Sequence, residues 1–347
     1  MITESTDPPR SPRHWLWTVV IAGAIAGALM YAFASQRTRV VFESDSEFGD
    51  VRVTERSDGL RSLYTGEGRA RQSAIYPGRP LQLVHEYTRV GMVGLALVPA
   101  DGRILFVGLG GGAMPMYARQ VMPAAHIDVV EIDPVIVDVA QRWFGFVPDD
   151  RMVVHTGDGR AFIENAAPGT YDLIVLDAFS DDEVPYSLTT RQFLDAVRTR
   201  LTTNGIVVSN LWTAQRSYEA MLATYAAVFH QVHLVRVPQR AQRILVAGPA
   251  TRPLDRTSVV SAVHAFTEHV ELGFDLTRLI EDGYEPAPRV DAPILEDEQR
   301  TAAVTDSKGS IAAVESGPFT APTTDPGHLP AMEWSVCACD LLQFPAW

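Results

Sequence analysis

The chain has 347 residues, 46% of them hydrophobic, and a formal net charge of −13. That length and apolar content support one large or two ordinary domains with a real core, while the acidic balance excludes a nucleic-acid surface and suits cationic small molecules. Lys308, the single lysine, lies in a polar stretch and leaves Schiff-base chemistry without a candidate; Cys337 and Cys339 are too few for a disulfide framework, and no metal site is expected.

Residues 1–14 are a short N-terminal segment containing Arg10 and Arg13. Trp15 to Ala34 is an uncharged run of twenty residues with Trp15 and Trp17 at one end and Tyr31 and Phe33 near the other. It has the length and aromatic placement of a membrane-spanning helix. A cleaved signal peptide competes, because Ala32-Phe33-Ala34 resembles a small-residue cleavage site after a basic start; length favours an uncleaved anchor. Gly23 and Gly27 have the spacing of a helix-pairing motif, which allows a homodimer.

Strand-like stretches follow at Val40 to Phe42, Val51 to Thr54 and Leu60 to Tyr64, with a hairpin signal at Asp58-Gly59. Residues 39–98 are therefore expected as a small β-hairpin unit, closing with a helix over Leu81 to Leu97 on which Leu83, Tyr87, Val90 and Val93 share a face.

From Arg103 strand and helix patterns alternate, so residues 99–285 are expected as an α/β domain with an open, mostly parallel sheet. Arg103 to Val107 is an apolar strand that runs into the glycines of Gly108-x-Gly110-Gly-Gly112-Ala113, and Ile127 to Ile132 is the next. Asp133 is placed to cap a helix with Pro134 at its first position and Gly145 after its end. Strands follow at Met152 to His155, Leu173 to Leu176 and Gly205 to Ser209, and Thr189 to Gln192 has capping-box spacing. Val232 to Val237 and Ile244 to Ala247 are joined too closely for a parallel crossover, so they form an antiparallel pair. A sheet ending in such a hairpin is unlike a usual NAD-binding sheet and resembles the Rossmann-like S-adenosylmethionine-dependent methyltransferase fold. Beyond Pro286 the chain is rich in Pro, Asp, Thr and Ser, and residues 286–347 are expected as a low-complexity, largely disordered tail.

The glycine run alone is a weak motif whose bland reading is a tight strand-to-helix turn. Three acids strengthen it: Glu131, Asp158 and Asp177 each follow a strand, at the edge where open α/β sheets bind ligands. Any one of them is more often a helix cap. Together with the glycines they point to a nucleoside-bearing co-substrate, with Glu131 placed to accept the ribose hydroxyls.

The stretches Gly108 to Gly112, Val129-Val-Glu131-Ile-Asp133-Pro134, Asp150 to Arg160 and Tyr171 to Asp177 resemble the polyamine aminopropyltransferases, typified by spermidine synthase. The likeness covers roughly residues 40–250, and the segment after Asp177 looks most like the membrane-associated bacterial branch. The resemblance implies aminopropyl transfer from decarboxylated S-adenosylmethionine, or a close relative such as S-adenosylmethionine, to an amine such as putrescine. It implies that Gly108, Gly110, Gly112, Glu131, Asp158, Gly159, Gln72 and His85 hold the donor and that Asp177 is the base. Glu86, Asp181 and Asp182 would face the cationic acceptor. Two positions depart from the family: Ala113 replaces an acid that usually holds the donor's amino group, and Val84 replaces the Tyr that usually precedes the His-Glu pair. A methyltransferase is therefore the alternative, and a non-catalytic nucleoside-binding or membrane scaffold module the third. An enzyme using cytosolic donors implies a bacterial membrane protein with its domain in the cytoplasm; cleavage after Ala34 would instead give a secreted or periplasmic one.

Overall fold

A computed structural model of the chain describes residues 19–25, 37–66, 71–179 and 183–297. Of the span expected at 15–34, residues 19–25 are helical and the remainder lies outside the described residues, as do residues 1–14 and 298–347. No helix among the described residues is long and apolar enough to cross a membrane.

The first unit is a four-stranded antiparallel meander, β1 (Thr38–Ser44), β2 (Val51–Arg56), β3 (Arg61–Thr65) and β4 (Arg71–Ile75). Three of its strands are legible in the sequence; β4 lacks a periodic apolar pattern and follows Gly66 and Gly68. The helix expected over 81–97 is shorter and in two parts. α1 (Glu86–Gly91) passes into a 3₁₀ turn over Met92–Leu97, where Gly94 lies so close to Leu173 and Val208 that a Cβ would meet them at 2.9–3.1 Å.

The main sheet has eight strands in the order β12-β10-β11-β9-β8-β5-β6-β7. Its parallel part is β5 (Arg103–Val107), β6 (His126–Glu131), β7 (Met152–Thr156), β8 (Tyr171–Leu176) and β9 (Leu201–Trp212). The antiparallel end is β10 (Gln231–Arg236) and β11 (Gln242–Gly248), as their short connection requires, with the unanticipated β12 (Tyr284–Pro286) added at the edge. Helices cover both faces: α2 (Ala113–Val121), α7 (Arg256–Thr267) and α8 (Leu276–Gly283) on one, α4 (Gly159–Asn165), α5 (Arg191–Arg200) and α6 (Tyr218–Val228) on the other. Burial on both sides explains why β5 is apolar after Arg103: Ile104 and Phe106 enter one core, Leu105 and Val107 the other. α3 (Pro134–Val139) packs Ile136 and Val139 against Val51, Val53 and Leu63 of the meander.

Two local expectations shift. α5 is capped by Thr190, whose hydroxyl accepts from the Phe193 amide, one residue later than the spacing from Thr189 suggested. The tail expected from residue 286 begins as packed chain. Leu295 is buried on the α6 side of the sheet, its amide donates to Thr224 Oγ1 at 3.0 Å, and its carbonyl accepts from the Arg191 amide at 2.8 Å. Composition hid this, because a few well-placed apolar residues, not an apolar majority, dock the strap.

Candidate active site

At the carboxyl ends of β5, β6 and β8 the chain encloses a cavity of about 460 Å³, closed on its other side by the meander. Its geometry begins with two strand ends in close contact. The Asp177 amide donates to the Val107 carbonyl at 2.9 Å, and a Cβ on Gly108 would lie 2.4 Å from the Asp177 carbonyl oxygen. With φ of +99° as well, only glycine fits there. Gly110 lines the cavity, whereas Gly112 caps α2 against the Phe146 ring and does not.

Glu131, at the end of β6, is clamped. Its Oε2 accepts from the Leu109 amide at 2.9 Å and the Gly110 amide at 3.4 Å, and its Oε1 accepts from the Asp133 amide at 3.1 Å. Burial nevertheless holds its carboxyl above the usual range, against the pull of those amides. Asp133 caps α3 through the Val135 amide and accepts from Ser46 Oγ at 2.6 Å, which ties the β1–β2 turn to the rim. Asp158 caps α4 through the Ala161 amide and stays exposed to the cavity, with Gly159 beside it.

Asp177 follows β8. Its Oδ1 accepts from Asn210 Nδ2 at 2.9 Å and its Oδ2 from the Tyr87 hydroxyl at 3.3 Å. Desolvation by the surrounding protein pushes its carboxyl up to about 7, with the two donors pulling the other way. The same surroundings and the adjacent Asp177 hold the Tyr87 phenol far above its ordinary value. Gln72 reaches the cavity from β4.

Other residues named from the sequence stand elsewhere. His85 sits one layer back, its ring 5.6 Å from that of Tyr87 and its Nε2 buried without a partner among the described residues. Burial, reinforced by Arg71 and Arg240, lowers it to about 4, so it is neutral. Glu86 is also absent from the cavity wall and pairs with Arg89 at 2.8 Å; the helical turn carries it away from the side on which Tyr87 points. Asp181 and Asp182 lie outside the described residues.

The described residues of the cavity wall include Glu47, Glu131, Asp133, Asp158 and Asp177 but no Lys, Arg or His. Ala113 and Met114 open α2 at the same wall.

The profile of the spermine/spermidine synthase domain matches residues 85–245, the stretch that carries α1 and the whole parallel sheet. The polyamine aminopropyltransferase of Vibrio vulnificus is 31% identical over 264 residues, covering 73% of this chain and 88% of that relative. The chain belongs to the polyamine aminopropyltransferase family. It is a transferase enzyme, which sets aside the non-catalytic module. A second similarity is narrower: the human eEF1A lysine and N-terminal methyltransferase is 36% identical over 154 residues, 41% of this chain and 22% of that protein. Among solved structures, a probable spermidine synthase from Corynebacterium glutamicum matches with TM-score 0.56 and 18% identity over 81% of this chain and 100% of its own. A spermidine synthase in complex with the transition-state analogue AdoDATO matches with TM-score 0.60 and 15% identity over 72% of this chain and 86% of its own. At those identities the likeness shows the fold, a Rossmann-like α/β sheet of the methyltransferase type.

Within this aminopropyltransferase two site residues escaped sequence reasoning. The apolar spacing places Tyr87 on the buried face of a helix, although its position beside His85 and Glu86 marks it. Asn210 was missed because the fifth strand was ended at Ser209; carried one residue further, the rule that ligands sit at strand carboxyl ends reaches it.

Proposed function

We propose that this enzyme transfers an aminopropyl group from decarboxylated S-adenosylmethionine to a small amine such as putrescine, with Asp177 as base. The observation that carries the reading is a partly desolvated carboxyl with a pKa near 7, next to the glycine turn, in a wall whose described charged residues are all acids. The amine nitrogen attacks the propyl carbon bonded to sulfur. The C–N bond forms as the C–S bond breaks, the bonding pair stays on sulfur as a neutral thioether, and the extra nitrogen proton passes to Asp177. A positioned base contributes about 10²–10⁴-fold, and alignment of amine, carbon and sulfur supplies much of the remainder.

Glu131 is assigned to the ribose hydroxyls, because its Oε1 accepts only the Asp133 amide and keeps a lone pair for a hydroxyl. Asp158 is assigned to the adenine amino group and Gln72 to the region around sulfur. His85 would act from behind Tyr87, and Asp181 and Asp182 would draw in the cationic acceptor. A decarboxylated donor suits this wall. The α-carboxylate of intact S-adenosylmethionine would enter a surface with five acids and no cation among its described residues.

Methyl transfer from intact S-adenosylmethionine is the second reading, favoured by Ala113 and by the similarity to the human methyltransferase. Titrating the protein with each donor separates the two. Aminopropyl transfer predicts that the decarboxylated donor binds at least about tenfold tighter, a difference of roughly 1.4 kcal/mol; tighter binding of the intact donor would support methyl transfer. Residues 15–34 are proposed as a single membrane anchor that leaves the catalytic domain in the cytoplasm, where sulfonium donors are made.

A further inference from the structure

Asp177 receives one hydrogen bond on each oxygen, from two different elements. Asn210 approaches from β9 and donates to Oδ1 at 2.9 Å; Tyr87 approaches from α1 and donates to Oδ2 at 3.3 Å. An ionised carboxylate only accepts, so the Asn210 carboxamide must present its NH₂ half. That choice leaves Asn210 Oδ1 as a buried carbonyl without a partner among the described residues, on a side chain only 4% exposed. An unpaired acceptor in a sheet core is unfavourable, and an aliphatic residue of similar shape would avoid it. The NH₂ half must therefore supply something that outweighs the stranded carbonyl.

What it supplies is half of the polar support for a carboxylate with no cation beside it among the described residues. From α1, the polar groups near Asp177 are Tyr87 and, behind it, the neutral His85, while Glu86 is occupied by Arg89. The β5–α2 loop brings the Gly108 backbone. β6 brings Glu131 to the same cavity, itself held by three amides. β9 brings Asn210.

We infer that Asn210 is a positioning residue of the transfer reaction, with Tyr87 as its counterpart, and that the two neutral donors keep Asp177 ionised and aimed at the amine. The inference rests on the reading of Asp177 as base. A cation in the place of Asn210 would hold the carboxylate ionised more strongly but weaken it as a proton acceptor. An apolar residue would leave it protonated at neutral pH. Two neutral donors set the intermediate condition a general base requires.

The test is a titration of the Asp177 carboxylate in the full chain, read from its infrared band after subtraction of the Asp177→Asn spectrum. It is run on the wild type, Asn210→Leu and Tyr87→Phe, beside kcat/KM against pH with decarboxylated S-adenosylmethionine and putrescine. Each substitution is expected to move the infrared midpoint and the acidic limb of the rate profile up by about one pH unit, as loss of a donor to a charged form requires. The resulting loss of rate shrinks as pH rises. An unmoved midpoint, or a loss equal at every pH, would overturn the inference and leave Asn210 a structural residue. Tyr87→Phe removes a single hydroxyl and carries the same prediction if Asn210→Leu fails to fold. If Asp177→Asn keeps its turnover, the base reading fails; if Asp177→Asn is inactive while both midpoints stay in place, only the positioning inference fails.

Discussion

At Asp177 burial and hydrogen bonding oppose each other, and burial wins, placing the carboxyl near 7. The consequence for activity has a definite sign. The reactive form is the ionised one, so kcat/KM is expected to fall as pH drops through about 7 and to level off above it; a profile flat from pH 5 to 9 would contradict this assignment. Asp177→Asn keeps the shape but accepts no proton, and a loss of about 10²–10⁴-fold in kcat is expected from single-turnover measurements. Gly108 belongs to the same scale. Its positive φ and the Asp177 carbonyl at the place of a Cβ predict that Gly108→Ala destabilises the fold by at least about 1–3 kcal/mol in urea unfolding. A variant as stable as the wild type would mean that the turn relaxes freely.

Elements bring these residues together, and their legibility differed for physical reasons. The parallel strands and the antiparallel hairpin were readable because burial on both faces imposes largely apolar runs, and because a short connection permits only one direction. Glu131, Asp158 and Asp177 followed from those strands, since each acid stands where a strand stops. Tyr87 and Asn210 did not, because one lies on a helix of only six residues that looked longer, and the other on a strand that runs past its apolar core. Glu86 was misplaced for the first of these reasons: within one turn of α1, adjacent residues face different ways. The strap over residues 287–297 was missed because its attachments are specific and few. Leu295 fills the core beside α6, the Tyr186 hydroxyl donates to the Glu296 carbonyl at 2.8 Å, and Asp297 pairs with Arg160 at 2.6 Å, one residue beyond the cavity-lining Gly159. Leu295→Ala is therefore expected to lower stability by about 2–5 kcal/mol, measured by chemical denaturation. A change within error would show that the strap does not belong to the core.

For the whole molecule the proposed arrangement is a cytoplasmic transferase domain carried on a membrane anchor. The full chain is expected to sediment with membranes and resist extraction at high salt and alkaline pH, while a chain starting at residue 38 is expected in the supernatant; release of the full chain would contradict the anchor. The acidic balance of the sequence, net −13, has its local counterpart in the cavity wall, where the described charged residues are all carboxylates. Such a wall favours cationic amines and decarboxylated donors together, and aminopropyl transfer uses that pair. Mass spectrometry of the amine product tests this most directly, with putrescine offered alongside both sulfonium donors in one reaction. The account predicts putrescine extended by one aminopropyl group, dependent on Asp177 and accompanied by an equal amount of the thioether nucleoside. A methylated amine, formed at the expense of intact S-adenosylmethionine, would contradict it.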